Sequence, residues 1–193
     1  MRAFVIAMES EAAAVRPSLR EGDRLYVSGV GKVCAAAAAQ RAICDGTDEI
    51  LNCGVVGGLD PAMDIGDVFE VDRAVEYDFD LVELNGTSLG THNERDTPYF
   101  ACRTTGRFPA RTLATGDRFT NDARDVEVAL SLGASLRDME GAAIAHVCEL
   151  NGVACRLLKC VSDVHGMGKM TGQYRTNLAR CLSRLAAAVA DWR

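Results

Sequence analysis

The sequence predicts an α/β fold: a single three-layer domain over residues 1–193, with a central, mostly parallel mixed sheet flanked by helices. Two observations carry that expectation. Apolar runs of strand length alternate along the chain with segments of helical periodicity. Several of those runs, above all 154–162, are almost continuously apolar, which is how a strand reads when both faces of its sheet are covered. No internal repeat and no linker divides the 193 residues, a length that suits one domain with a sizeable core.

The elements follow in order. Residues 3–7 read as a buried strand, with a helix from about Ser10, and 24–28 as a short strand. Gly31 opens an alanine-rich helix that ends near Asp45 and Gly46. Residues 49–53 form a strand closed by the glycine-rich stretch 54–58, which reads as a turn. Strands are expected at 67–75 and 111–115, then a helix over 121–132 with Asp122 and Asp125 in its favourable first turn. A strand at 134–139, a helix at 141–151, the apolar strand 154–162 and an amphipathic helix at 173–192 complete the chain. The stretch 84–98 breaks the pattern: it is polar, contains Gly86, Gly90 and Pro98, and is a candidate mobile loop or lid.

Composition excludes several function classes. A net charge of −6 gives no basic footprint, so nucleic acid and anionic membranes are poor partners, while a small charged metabolite stays open. The first apolar run is too short to span a bilayer, and acids arrive by Glu9, so no secretory signal is expected and the location is read as cytoplasmic. Of the eight cysteines, Cys34, Cys44, Cys53, Cys148, Cys155, Cys160 and Cys181 sit in apolar runs and read as reduced core residues. No CxxC occurs and no histidine pair has ligand spacing, so neither a metal nor another cofactor is expected.

In open α/β sheets ligands bind beyond the carboxyl ends of the strands. Those ends carry Glu9 and Glu11, Asp117, Asp138 and Glu140, and Asp163, beside the flexible backbone of 54–58. Taken singly, Glu11 and Glu140 are ordinary helix-start acids, Asp163 is a turn or cap residue, and Met139 and Phe119 belong to the core.

The ordered series AMESE (7–11), SGVGKV (28–33), LNCGVVGGLDP (51–61), IGDV (65–68), TGDRF (115–119), DMEGAAIAHVC (138–148) and VSDV (161–164) changes that reading. It resembles the nucleoside phosphorylase/nucleosidase family across nearly the whole chain, and most of all its methylthioadenosine/S-adenosylhomocysteine nucleosidase branch. The resemblance implies cleavage of an N-glycosidic bond, which builds oxocarbenium character on ribose and negative charge on the departing base. It implies that Asp163 protonates or hydrogen-bonds the purine N7, with Ser162 helping to hold it, and that Glu11 activates water. Glu140 would then bind the ribose hydroxyls, Met139 would pack under the sugar, Phe119 would stack on the base and the Thr120 backbone would read its edge. A homodimer is implied too, with the neighbouring subunit closing the substrate tail pocket.

Departures from the family bear on water against phosphate and on substrate. Val55 stands in the glycine-rich stretch where the resembling nucleosidases carry serine, Lys159 where they carry arginine, and Gly166 where they carry aspartate. The segment between Glu11 and Ser28 is short. A carboxylate at Glu11 would repel phosphate and suits hydrolysis, although Arg73, Arg111 or Arg118 could still reach a phosphate. Alternatives kept open are a nucleosidase for futalosine-type substrates, a phosphorylase, and a non-catalytic nucleoside-binding protein. Asp163 as an acid requires a raised pKa, and the apolar run 157–161 supplies desolvation.

Overall fold

The computed structural model describes residues 1–92, 95–119 and 122–192. Among them run β1 (Arg2–Ile6), α1 (Glu9–Val15), β2 (Arg24–Val27), α2 (Lys32–Cys44), β3 (Glu49–Gly58), β4 (Val68–Glu76), α3 (Val82–Asn85) and β5 (Tyr99–Ala101). The chain continues through β6 (Ala110–Thr115), α4 (Ala123–Ser131), β7 (Leu136–Asp138), α5 (Gly141–Leu150), β8 (Ala154–Val164) and α6 (Met170–Trp192). The strands lie in the order β2-β1-β3-β7-β6-β4-β5, with β8 inserted between β3 and β4. Since β3 pairs with both β7 and β8, and β4 with both β6 and β8, five strands close into a ring. Most pairings are parallel, and β3–β7, β4–β5 and β4–β8 are antiparallel, which makes the sheet mixed as expected.

The period of two along each strand sorts side chains between two cores. In β1, Ala3 and Val5 meet Ala35, Ala39 and Ala42 of α2 and the apolar face of α5. Phe4 and Ile6 point the other way, towards Ala12 and Val15 of α1 and the α6 stripe. That stripe is Cys181, Leu185, Ala188, Val189 and Trp192, a helical spacing that buries one face. Burying a side chain such as Ile6 or Leu185 stabilises by about 1.5–3 kcal/mol, so both helix layers are anchored mainly by these contacts. A third cluster joins α4, through Val126 and Ala129, to Val75, Tyr77 and Ala114. The N-terminus of α4 is capped by Asp122, whose side chain accepts from the Arg124 amide.

Two expectations need correction. Residues 54–58 are not a turn: β3 runs straight through the glycines, pairing with β8 to Val164 with one register shift between Val56 and Gly57. Cys34 and Cys44 are exposed rather than core, since α2 turns only its alanine face inward, whereas Cys53, Cys148, Cys155, Cys160 and Cys181 are buried. The described residues of the stretch 84–98, expected as a mobile loop or lid, make contacts with neighbouring elements. Gly90 N donates to Phe79 O at 2.9 Å, and Arg95 bonds to Tyr99 O and Glu149, which docks the described part of the segment on β5 and α5. Among the described residues no helix is long and apolar enough to cross a membrane.

Candidate active site

A cavity of about 420 Å³ opens where β1, β7 and β8 end. Glu11, Val55, Phe119, Met139, Glu140, Ser162 and Asp163 all line it. Thr120 lies outside the described residues. Asp117 is turned aside, where its carboxylate accepts from the Lys32 amide at 2.8 Å.

Glu11 sits in the first turn of α1, 3% exposed. Its Oε1 accepts from the Val55 amide at 2.9 Å and its Oε2 from the Met8 amide at 3.2 Å. The second bond is the returning half of a capping box, so helix initiation and site geometry are one arrangement. Burial raises the Glu11 pKa, opposed by the Val55 bond and the charge of Lys159. The glycine at 54 is what lets this carboxylate in. A Cβ on Gly54 would lie 2.9 Å from Glu11 Oε1.

Asp163 is held in the same manner from the other side. It is 4% exposed near the end of β8, and Ser162 Oγ donates to its Oδ2 at 2.8 Å. A Cβ on Gly57 would lie 3.1 Å from Asp163 Oδ1. Burial raises its pKa, with the Ser162 bond and the charge of Arg137 acting against that rise. The glycines of β3 thus admit two carboxylates to the cavity wall, a role that glycine-rich composition alone did not disclose.

Glu140 precedes α5 and accepts from the Gly31 amide at 2.9 Å. Burial and the neighbouring charge of Asp138 push its pKa up to about 7. Beneath it lies a network that sequence reasoning did not identify. Lys159, 1% exposed, places Nζ 2.7 Å from Asp138 Oδ2 and 2.6 Å from Asn52 Oδ1. Asp138 Oδ1 accepts from Thr115 Oγ1 at 2.6 Å, and the Glu140 and Gly141 amides also donate to this carboxylate. Burial would lower the Lys159 pKa, but Asp138, Glu140 and Glu11 raise it, so the ammonium is a fixed positive charge under three acids.

Sequence reasoning also missed Tyr174 and Arg175, which the first turns of α6 bring to the cavity, and Arg137. The Tyr174 ring meets Phe119 edge-on at 5.8 Å, and its hydroxyl lies 3.5 Å from Met8 Sδ. α6 starts at Met170, three residues before the expected start, so Gly172 lies inside the helix. Phe119 is 52% exposed and stands at the mouth, where a flat ring could cover a base. None of the described residues of 84–98 lines this cavity. Arg73 is bonded elsewhere, to Thr112, and Arg111 to the Ala110 carbonyl. The wall therefore brings three buried carboxylates, those of Glu11, Glu140 and Asp163, to one cavity beside the Phe119 ring.

Comparison with known proteins identifies the family and the fold. The family model described as "Phosphorylase superfamily" matches residues 21–191. A 5′-methylthioadenosine/S-adenosylhomocysteine nucleosidase of Treponema pallidum is 29% identical over 180 residues, covering 74% of this chain and 66% of the relative. An aminodeoxyfutalosine nucleosidase of Campylobacter jejuni is 28% identical over 155 residues, covering 74% and 68%. The chain thus spans about two thirds of the length of these curated relatives. A crystal structure of the Helicobacter pylori methylthioadenosine/S-adenosylhomocysteine nucleosidase superposes with a TM-score of 0.86 at 22% identity, over 98% of this chain and 97% of the other. With the family model covering most of its length and its fold shared end to end, the chain belongs to the phosphorylase superfamily of nucleoside phosphorylases and nucleosidases, and resembles the methylthioadenosine/S-adenosylhomocysteine nucleosidases within it.

Proposed function

We propose that this protein is a nucleosidase that hydrolyses the N-glycosidic bond of a purine-type nucleoside, with 5′-methylthioadenosine or S-adenosylhomocysteine as first candidates, and releases the free base. The observation that carries the reading is the pair Glu11 and Asp163: two buried carboxylates on one cavity, both with raised pKa values. Asp163 carries the proton. With Ser162 donating to Oδ2, Oδ1 remains for the proton that is delivered to the base as negative charge grows there. Glu11, oriented by two backbone amides, accepts a proton from the attacking water. Glu140 binds the ribose hydroxyls, Met139 lies under the sugar, Phe119 stacks on the base, Val55 lines the substrate cavity, and the Thr120 backbone reads the edge of the base, as the family resemblance implies.

The whole chain acts as one domain in this reading, works as a homodimer in the cytoplasm, and needs no cofactor. The likeness to the Campylobacter jejuni protein supports a second substrate, a futalosine-type nucleoside that differs at the 5′ position. The test is to incubate the protein with methylthioadenosine, adenosylhomocysteine, adenosine, inosine and aminodeoxyfutalosine and to measure base release. Release of base from at least one, lost in Asp163→Asn while ligand binding and the circular dichroism persist, is expected. Ligand-induced stabilisation without base release would instead identify a binding protein.

A further inference from the structure

Away from the cavity, one group of side chains has metal-ligand chemistry that the hydrolysis does not use. Glu76 ends β4, His92 lies between α3 and β5, and His146 is on α5. They are far apart in sequence, which is why no ligand spacing shows there, yet one donor atom of each lies within 4.8 Å of the others. Glu76 Oε1 is shared, 3.1 Å from His146 Nδ1 and 3.6 Å from His92 Nε2. Four ligands around zinc at about 2.0–2.1 Å stand about 3.3–3.4 Å from one another, and the two separations at Glu76 Oε1 fall on either side of that edge.

A bonded Glu–His pair that merely pins the segment to α5 would leave one atom without a role. His92 Nε2 is buried with no hydrogen-bond partner, because 3.6 Å is too long for one. Both rings are held in place from behind: His92 stacks on Phe79 at 3.8 Å and His146 on Phe100 at 4.3 Å. The other oxygen of Glu76 faces Lys32 Nζ at 3.3 Å, and that ammonium is itself matched by Asp78 at 2.6 Å. Glu76 and Asp78 thus outweigh Lys32, and an outer partner orients the ligating carboxylate.

We propose that Glu76, His92 and His146 form a binding site for a divalent transition cation of borderline softness, zinc in first place, which ties His92 to β4 and α5. Two imidazoles and one carboxylate are a donor set that zinc accepts, with a fourth position left to solvent.

The experiment uses full-length protein carrying Cys34→Ser and Cys44→Ser, so that exposed thiols do not compete, dialysed against chelator and titrated with zinc by calorimetry. One equivalent should bind, with a rise in Tm. His92→Ala should weaken affinity at least about tenfold, as losses around zinc sites do, and His146→Gln should do the same in protein shown by circular dichroism to be folded. His165→Ala, outside the cluster, should change nothing. Cobalt in place of zinc should give tetrahedral d–d bands without sulfur-to-cobalt charge transfer. Absence of saturable binding at a large excess of zinc, affinity unchanged in His92→Ala, or thiolate bands with cobalt would each overturn the proposal.

Discussion

Replacing Lys159 by Met removes the positive charge under the site while keeping its volume. The ammonium is 1% exposed and lies 2.7 Å from Asp138 Oδ2. At an effective dielectric of about 20, unit charges at that distance attract by about 6 kcal/mol. Relief from burying the lysine offsets part of this, while Asp138 stays buried and ionised among Thr115 and two amides. Removing one partner of such a pair costs about 3–5 kcal/mol, a large share of the ~5–15 kcal/mol available to a domain of this size. Urea denaturation at neutral pH reads the loss directly. Asp138→Asn in the Lys159→Met background should recover part of it, since the pair then disappears as a unit. A second readout separates site electrostatics from stability. Lys159 holds down the pKa values of Glu11 and Glu140, so its loss should move the acid limb of the pH–rate profile upward. A variant within about 1 kcal/mol of wild type, or one with an unmoved acid limb, would refute the reasoning.

Other perturbations test the site piece by piece. Asp163→Asn should lower kcat by about 10²–10⁴ with an unchanged unfolding curve, and near-normal turnover would remove its assigned role. Gly54→Ala drives a methyl group to within 2.9 Å of Glu11 Oε1. It should weaken charge-assisted hydrogen bonds worth about 1.5–3 kcal/mol each and lower kcat at least tenfold, read by steady-state kinetics. The Glu140 pKa is raised from 4.5 to about 7, so its stabilising contribution is complete below about pH 4.5 and is lost as pH rises through 7. Glu140→Gln should therefore flatten the fall in stability over that window, by up to about 3 kcal/mol, in denaturation curves taken from pH 4.5 to 8. A thiol reagent should label Cys34 and Cys44 quickly in native protein and the five buried cysteines only on unfolding.

What could be read from the sequence followed from how local each signal is. The continuous apolar runs of β1 and β8 and the i, i+4 stripe of α6 are set by burial along one element, and they stood out as such. The continuation of β3 through its glycines did not, because glycine marks a turn by composition and here serves the approach of Glu11 and Asp163 from other elements. β5 is three residues long and exists by antiparallel pairing to β4, a contact with no periodicity to detect. The site carboxylates were legible because their motifs sit at strand ends, in an order shared with a known family. Lys159 looked only like a departure from that family. Its partnership with Asp138 and Asn52 depends on three strands meeting. The grouping of Glu76, His92 and His146 is of the same kind.

Glu11 is proposed to direct water, not phosphate, to the sugar. Arg175 in the cavity wall makes that a real choice, since it carries charge that an anion could use. The decisive measurement is product identity with a cleaved nucleoside, in phosphate buffer and in phosphate-free buffer. Free base and free 5-substituted ribose at equal rates in both are expected, with no phosphorus signal for a sugar 1-phosphate. Base release that requires phosphate, together with a ribose 1-phosphate product, would contradict the account.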